Sequence, residues 1–163
     1  TETGADFTAV NGKGQVPTLE IAKGEVLTEV STILQYLADK AKDSGLLPAF
    51  GSMDRYRAME TLNFVASELH KGIGGLFNPA MPEEFKTVVK NNLAARQLPY
   101  LDKALAGRDY IMGDFSVADA YLFTVLNWTK LHKIDSGGRL ADDHASQWAA
   151  LHFVGDTLLE MFQ

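Results

Sequence analysis

The sequence predicts a mostly α, α+β chain: a short helix, a β-hairpin and a helix, followed by an all-helical remainder. Three observations predict it. Strand-like alternation is confined to one stretch, Thr18 to Leu27, broken in the middle by Lys23-Gly24. From Val30 onward the apolar spacing switches to the helical period and returns in most later segments. Gly, Ser, Asp and Pro gather between Lys42 and Gly51, marking a boundary between a first part, residues 1–43, and a second, residues 52–163.

Asp6 to Asn11 suits one short helical turn, with Phe7 and Val10 three apart, and Asn-Gly-Lys-Gly at 11–14 reads as a loop. Val16-Pro17 leads into a strand over Thr18 to Ala22 with Leu19 and Ile21 on one side. Lys23-Gly24 makes a tight turn to a partner strand around Val26-Leu27. Val30, Ile33, Leu34, Leu37 and Ala38 then form one helical stripe. Ser52 can cap a helix running through Tyr56 and Met59 to Lys71, after which Gly72, Gly74 and Gly75 weaken it. Pro82, Glu83 and Glu84 suit the first turn of another helix, with Phe85, Val88, Val89, Leu93, Leu101 and Leu105 as its apolar face and a kink at Pro99. Ser116 and Asp119 resemble a capping box at the start of a helix reaching about Lys130, a structural role. From Leu140, the residues Trp148, Leu151, Val154, Leu158 and Phe162 recur at roughly helical intervals.

Composition excludes several functions. In the 163 residues, 46% are hydrophobic, enough for a core, and 15 Lys and Arg face 21 Asp and Glu for a net charge of −6 without long runs. A nucleic-acid partner needs a concentrated basic surface, so none is expected. No apolar run is long enough to cross a bilayer and the first ten residues lack a signal-peptide pattern, so no membrane partner and a cytoplasmic location are expected. The chain opens on Thr1, and an upstream start is expected. Zero Cys excludes disulfides, thiolate metal sites and a cysteine nucleophile within these residues. His132, His144 and His152 do not share one helical face, so no metal site is expected.

One stretch carries chemistry. On an α-helix, Asn63, Ser67, His70 and Lys71 fall on one face, each offering a donor and two of them potentially cationic. Phe64, Val65 and Leu69 turn away to pack. Such a face can meet an anionic ligand; it can equally be a solvated stripe.

Four segments decide between these. Asn-Gly-Lys-Gly-Gln-Val-Pro-Thr-Leu, Leu-Thr-Glu-Val with Gln-Tyr-Leu-Ala-Asp, Asn-Phe-Val-Ala-Ser-Glu-Leu-His-Lys and Phe-Ser-Val-Ala-Asp-Ala-Tyr occur in unbroken order between Asp6 and about Asp135. Together they resemble the bacterial beta-class glutathione transferases. The resemblance implies a thioredoxin-like portion, incomplete here, followed by the all-α C-terminal domain of that family, in a homodimer. It implies glutathione and a hydrophobic electrophile as substrates, with no other cofactor.

Carried over by position, the backbone of Val16 would pair with the cysteinyl part of glutathione and Pro17 would be a cis-proline turning that backbone to the ligand. Glu29 would accept the γ-glutamyl ammonium, although a first-turn carboxylate complementing the helix dipole is the alternative. The N–H of Val30, where the family often has Ser, Gly or Ala, would meet the γ-glutamyl carboxylate at a helix start. Asn63, Ser67, His70 and Lys71 would close over the tripeptide, with His70 and Lys71 at its glycyl end or near the sulfur. His70 is the one catalytic candidate. Glu68 resembles the residue that reaches across the dimer, or is simply solvated. Phe77, Tyr121 and Trp128 are possible apolar lining, or core.

The same resemblance implies that the family's first βαβ unit, with the residue that addresses the sulfur, lies before Thr1. It also implies a departure from the family after about Asp135. A glutathione transferase subunit is therefore the leading expectation. The alternatives are a non-catalytic interaction module of the same fold and a decayed fragment.

Overall fold

The computed structural model describes residues 4, 6–41 and 44–135, so the expected helices from Leu140, with His144 and His152, lie outside the described residues. Asp6 opens α1 (Phe7–Val10) by accepting from the Thr8 backbone N–H at 2.9 Å and the Thr8 hydroxyl at 2.8 Å. The hairpin follows as β1 (Thr18–Ala22) and β2 (Glu25–Thr28), antiparallel with Leu19 opposite Leu27 and a register shift between Glu20 and Ala22. Its turn is Lys23-Gly24, where Gly24 takes the positive φ that a tight turn needs. Helix α2 (Val30–Lys40) buries Ile33, Leu37 and Ala38.

Among the described residues the elements of the second part are all helical: α3 (Met53–Phe64), a π-helical segment (Val65–His70), α4 (Lys71–Gly75), α5 (Glu83–Asn92), a second π segment (Leu93–Gln97), α6 (Leu98–Ala104) and α7 (Val117–Leu131). Ser52 accepts from the Arg55 N–H at 3.1 Å, as expected of an N-cap. Helix α7 is buried on nearly every side, the pattern of a central helix. Against it pack α2, α3, α4 and the first π segment. The core runs through Leu62, Val65, Leu69 and Ile73 to Leu98, Leu101 and Val125.

The Ser116–Asp119 cap is structural, as expected. Asp119, 4% exposed, accepts from the Ser116 N–H at 2.9 Å, the Ser116 hydroxyl at 2.8 Å and the Ile111 N–H at 2.7 Å. Burial pushes its carboxyl above the usual range, against the pull of these donors.

The continuous helix expected from Ser52 to Lys71 is corrected: its last turn before Lys71 is π-helical. The apolar face expected after Pro82 is also corrected. Phe85 and Val88 are exposed, while Leu93, Leu98, Leu101 and Leu105 are buried. An i→i+5 turn takes up one extra residue and shifts the phase of everything beyond it. Pro99 then stands in the first turn of α6, directly after the wide turn, where a missing N–H costs little.

The two parts are joined by an ion pair. Arg55 of α3, 4% exposed, donates from Nη1 to Asp39 Oδ1 and from Nη2 to Oδ2 of the same α2 carboxylate, both at 2.8 Å. Nearby, the Val117 N–H donates to the Leu46 carbonyl at 3.1 Å and fixes the connection to the start of α7.

Candidate functional site

The loop before β1 is built on one buried amide. Asn11 donates from Nδ2 to the Gln15 carbonyl at 2.7 Å and to the Thr18 hydroxyl at 3.0 Å, while its Oδ1 accepts from the Lys13 N–H. This holds Gly14, Gln15 and Val16 along the floor of a cleft of about 670 Å³. That volume suits a small organic ligand. The Val16–Pro17 bond is cis, as the sequence resemblance leads one to expect, and Val16 is 80% exposed.

One wall is the start of α2. The Glu29 carbonyl accepts from both Thr32 and Ile33, so the N–H groups of Val30 and Ser31 have no acceptor within the helix, and among the described residues no side chain caps them. Both residues line the cleft. Glu29 has φ 72, a conformation that a non-glycine residue adopts only at a cost, and its carboxylate meets Lys13 Nζ at 2.6 Å. Lys13 also donates to the Thr28 hydroxyl at 3.0 Å.

The opposite wall is helical. Ala66, His70 and Lys71 line it, with Tyr121 of α7 behind them. His70 Nδ1 and the Tyr121 hydroxyl share a hydrogen bond of 2.7 Å, and the imidazole meets the Trp128 ring edge-on at 4.9 Å between centroids. Burial holds the His70 pKa below its usual value. Tyr121 is pushed up to about 12, by burial first and then by the charge of Glu29. Burial therefore disfavours the charged form of both, and the cationic state open to His70 in the sequence is the less favoured one.

The structure thus brings Val16, Pro17, Glu29, Val30, His70 and Lys71 around one space. Asn63 and Ser67 do not line it, and the shared face expected for these four residues is corrected. Ser67 and His70 lie inside the π segment, whose wider turn breaks the 3.6-residue phase on which that face was drawn. Glu68 is exposed outside the cleft and accepts from Gln97 Nε2 at 3.3 Å. Of the three lining aromatics suggested by sequence, Tyr121 lines the cleft, while Trp128 and Phe77 continue behind His70 as an edge-to-face row. Lys13 and Ser31 went unsingled in the sequence. A lysine in a Gly-rich loop gives no local sign that it will meet a carboxylate sixteen residues away.

Comparisons with known proteins place the chain. The glutathione S-transferase N-terminal domain family matches residues 1–40, and the glutathione S-transferase C-terminal domain family matches residues 64–149. The glutathione S-transferase GstA of Escherichia coli O157:H7 is 47% identical over 138 residues, covering 84% of this chain and 68% of the relative. The chain belongs to the glutathione S-transferase family.

Solved glutathione S-transferases agree and point to its bacterial beta-class-like branch. A sphingomonad transferase complexed with glutathione is 43% identical with a TM-score of 0.77, covering 94% of this chain and 81% of that one. The bacterial beta-class transferase of Sphingomonas chungbukensis is 40% identical with a TM-score of 0.77, covering 93% and 79%. Within this family member, the cleft floor and the α2 wall fall in the N-terminal match. His70, Lys71 and Tyr121 fall in the C-terminal match. Among the described residues no helix is long and apolar enough to cross a membrane.

Proposed function

We propose that this chain binds glutathione in the cleft between its two parts, divided as 1–43 and 52–163, as a subunit of a cytoplasmic transferase that conjugates the tripeptide to hydrophobic electrophiles or exchanges it with disulfides. The observation that carries the reading is the pairing of opposite demands at one helix start. Glu29 offers a carboxylate for an ammonium, and the unpaired N–H groups of Val30 and Ser31 offer donors for a carboxylate. An α-amino acid end, such as the γ-glutamyl group, carries both charges on one carbon. The exposed Val16 backbone beside cis-Pro17 then faces the middle of the ligand, and Lys71 with His70 faces its far end.

Glu68 is the proposed contact to the ligand of a second subunit. Exposed Phe50, Met53 and Tyr56 at the opening of α3 support a homodimer, since apolar patches of this kind mark interaction surfaces. A second reading is a holding module without turnover. It is favoured by the burial of His70, which disfavours its cationic form and leaves Lys71 as the lining cation on the helical wall.

Titration calorimetry with glutathione tests the reading. Binding is expected for the wild-type chain and at least a tenfold weaker affinity for Glu29→Gln, as befits loss of a charge-assisted hydrogen bond. No heat at millimolar glutathione overturns it. Turnover of an aromatic halide by the glutathione-bound protein separates transferase from holding module.

A further inference from the structure

We propose that Lys13 is a specificity-determining residue of the cleft, an internal substitute for the ligand's ammonium that pairs with Glu29 when no ligand amine does and yields the carboxylate to one that arrives. The cleft therefore also takes a second class of ligand: analogues of the tripeptide that keep the γ-glutamyl carboxylate and lack the α-amino group. The inference rests on the glutathione reading for the identity of the parent ligand.

Lys13 reaches Glu29 from a fixed base. The buried Asn11 accepts the Lys13 N–H on Oδ1 at 3.1 Å and the Gly14 N–H on its carbonyl at 2.8 Å, so the backbone that carries the lysine is held on both sides. From there Nζ donates to Glu29 Oε1 at 2.6 Å and to the Thr28 hydroxyl at 3.0 Å. Both charged residues line the cleft, and the charge of Glu29 acts on Tyr121, a lining residue from α7. The carboxylate that Lys13 holds is thus the one presented to a ligand. Of the lining lysines, Lys71 stands on the helical wall, so on the Glu29 side Lys13 is the lining cation.

Two magnitudes set the effect. The pair is weak, because its side chains are 53% and 61% exposed, and exposed ion pairs are worth at most about fivefold in an equilibrium constant. A ligand ammonium can therefore take Glu29 from Nζ, which rides on a flexible stem and keeps the Thr28 hydroxyl as an acceptor. The second magnitude is larger. A carboxylate stripped of water under a ligand and left without a cation forfeits a charged hydrogen bond, worth about tenfold or more. Lys13 removes that loss for a ligand with no amine, and it lowers the net gain for a ligand that has one. The lysine thus narrows the preference of the cleft for the amine-bearing ligand.

Calorimetry with glutathione and with glutaryl-cysteinylglycine, the same tripeptide without its α-amino group, reads this preference in wild type, Lys13→Met and Lys13→Arg at equal helical circular dichroism. Wild type is expected to favour glutathione by about fivefold, Lys13→Met by about 25-fold, and Lys13→Arg by about the wild-type ratio. The widening of the ratio decides, because absolute affinities also carry any contact that Lys13 makes to the ligand's carboxylate. A ratio no wider in Lys13→Met than in wild type overturns the inference. Equal widening in Lys13→Arg overturns it as well, since the charge is then kept and the effect is not. Where Lys13→Met folds poorly, Lys13→Gln reads the same difference. If wild type and variants bind neither tripeptide, the glutathione reading fails and this inference with it. Binding of both tripeptides at a constant ratio removes the role of Lys13 alone.

Discussion

Glu29 sits where a glycine would be more comfortable. A non-glycine residue at φ 72 costs on the order of 1–3 kcal/mol, and the ion pair with Lys13 offsets little of that because both side chains are more than half exposed. The strain buys a carboxylate aimed along the floor of the cleft. Glu29→Gly is therefore expected to raise stability by about 1 kcal/mol, read by denaturant unfolding, while abolishing calorimetric binding of glutathione. A loss of stability would refute the strain. His70 and Lys71 could be picked out from the chain as polar positions in an amphipathic run, whereas Glu29 and Val30 came only with the family resemblance. Lys13 and the hydroxyl role of Tyr121 could not. Their partners lie 16 and 51 residues away, and only the fold decides which cation meets which carboxylate and which phenol meets which imidazole.

The hairpin, α2 and α7 could be read from sequence because period-two alternation, a five-member apolar stripe and a Ser-x-x-Asp start are signals within a few residues of one another. The π segments could not. Nothing in Val-Ala-Ser-Glu-Leu-His distinguishes an i→i+5 turn from an α turn, since both bury Val65 and Leu69. The choice is made by packing, where the two π segments lie against each other and Gln97 reaches Glu68. This is why Ala66 enters the cleft in place of Ser67. At the start of α7, by contrast, the local signal and the tertiary role coincide. Asp119→Ala removes the acceptor for the N–H groups of both Ser116 and Ile111, and a cost of about 3 kcal/mol is expected by denaturant unfolding. A change under 1 kcal/mol would show that water can replace the carboxylate.

Across the molecule, Asp39–Arg55 is an ion pair between the two parts, and its Arg55 side is buried. The Arg55 hydrogen bonds hold the Asp39 carboxyl below its usual 3.8. A carboxyl with a depressed folded-state value contributes stability that is present above the unfolded value and lost as the pH falls through the folded one. Wild type is therefore expected to exceed Asp39→Asn in melting temperature at pH 7, with the gap closing below pH 3.8. A gap that is constant with pH would assign the difference to packing instead of charge.

The location of that pair matters beyond its energy. Asp39 lies near the end of α2 remote from Val30, nine residue steps and about 13 Å of helix away. The pair therefore anchors the far end of the helix whose other end forms one wall of the cleft. A rocking of about 5° at Asp39 moves that wall by about 1 Å, enough to spoil a hydrogen bond to a ligand. On the proposed reading, affinity for glutathione depends on Asp39, an aspartate outside the cleft lining.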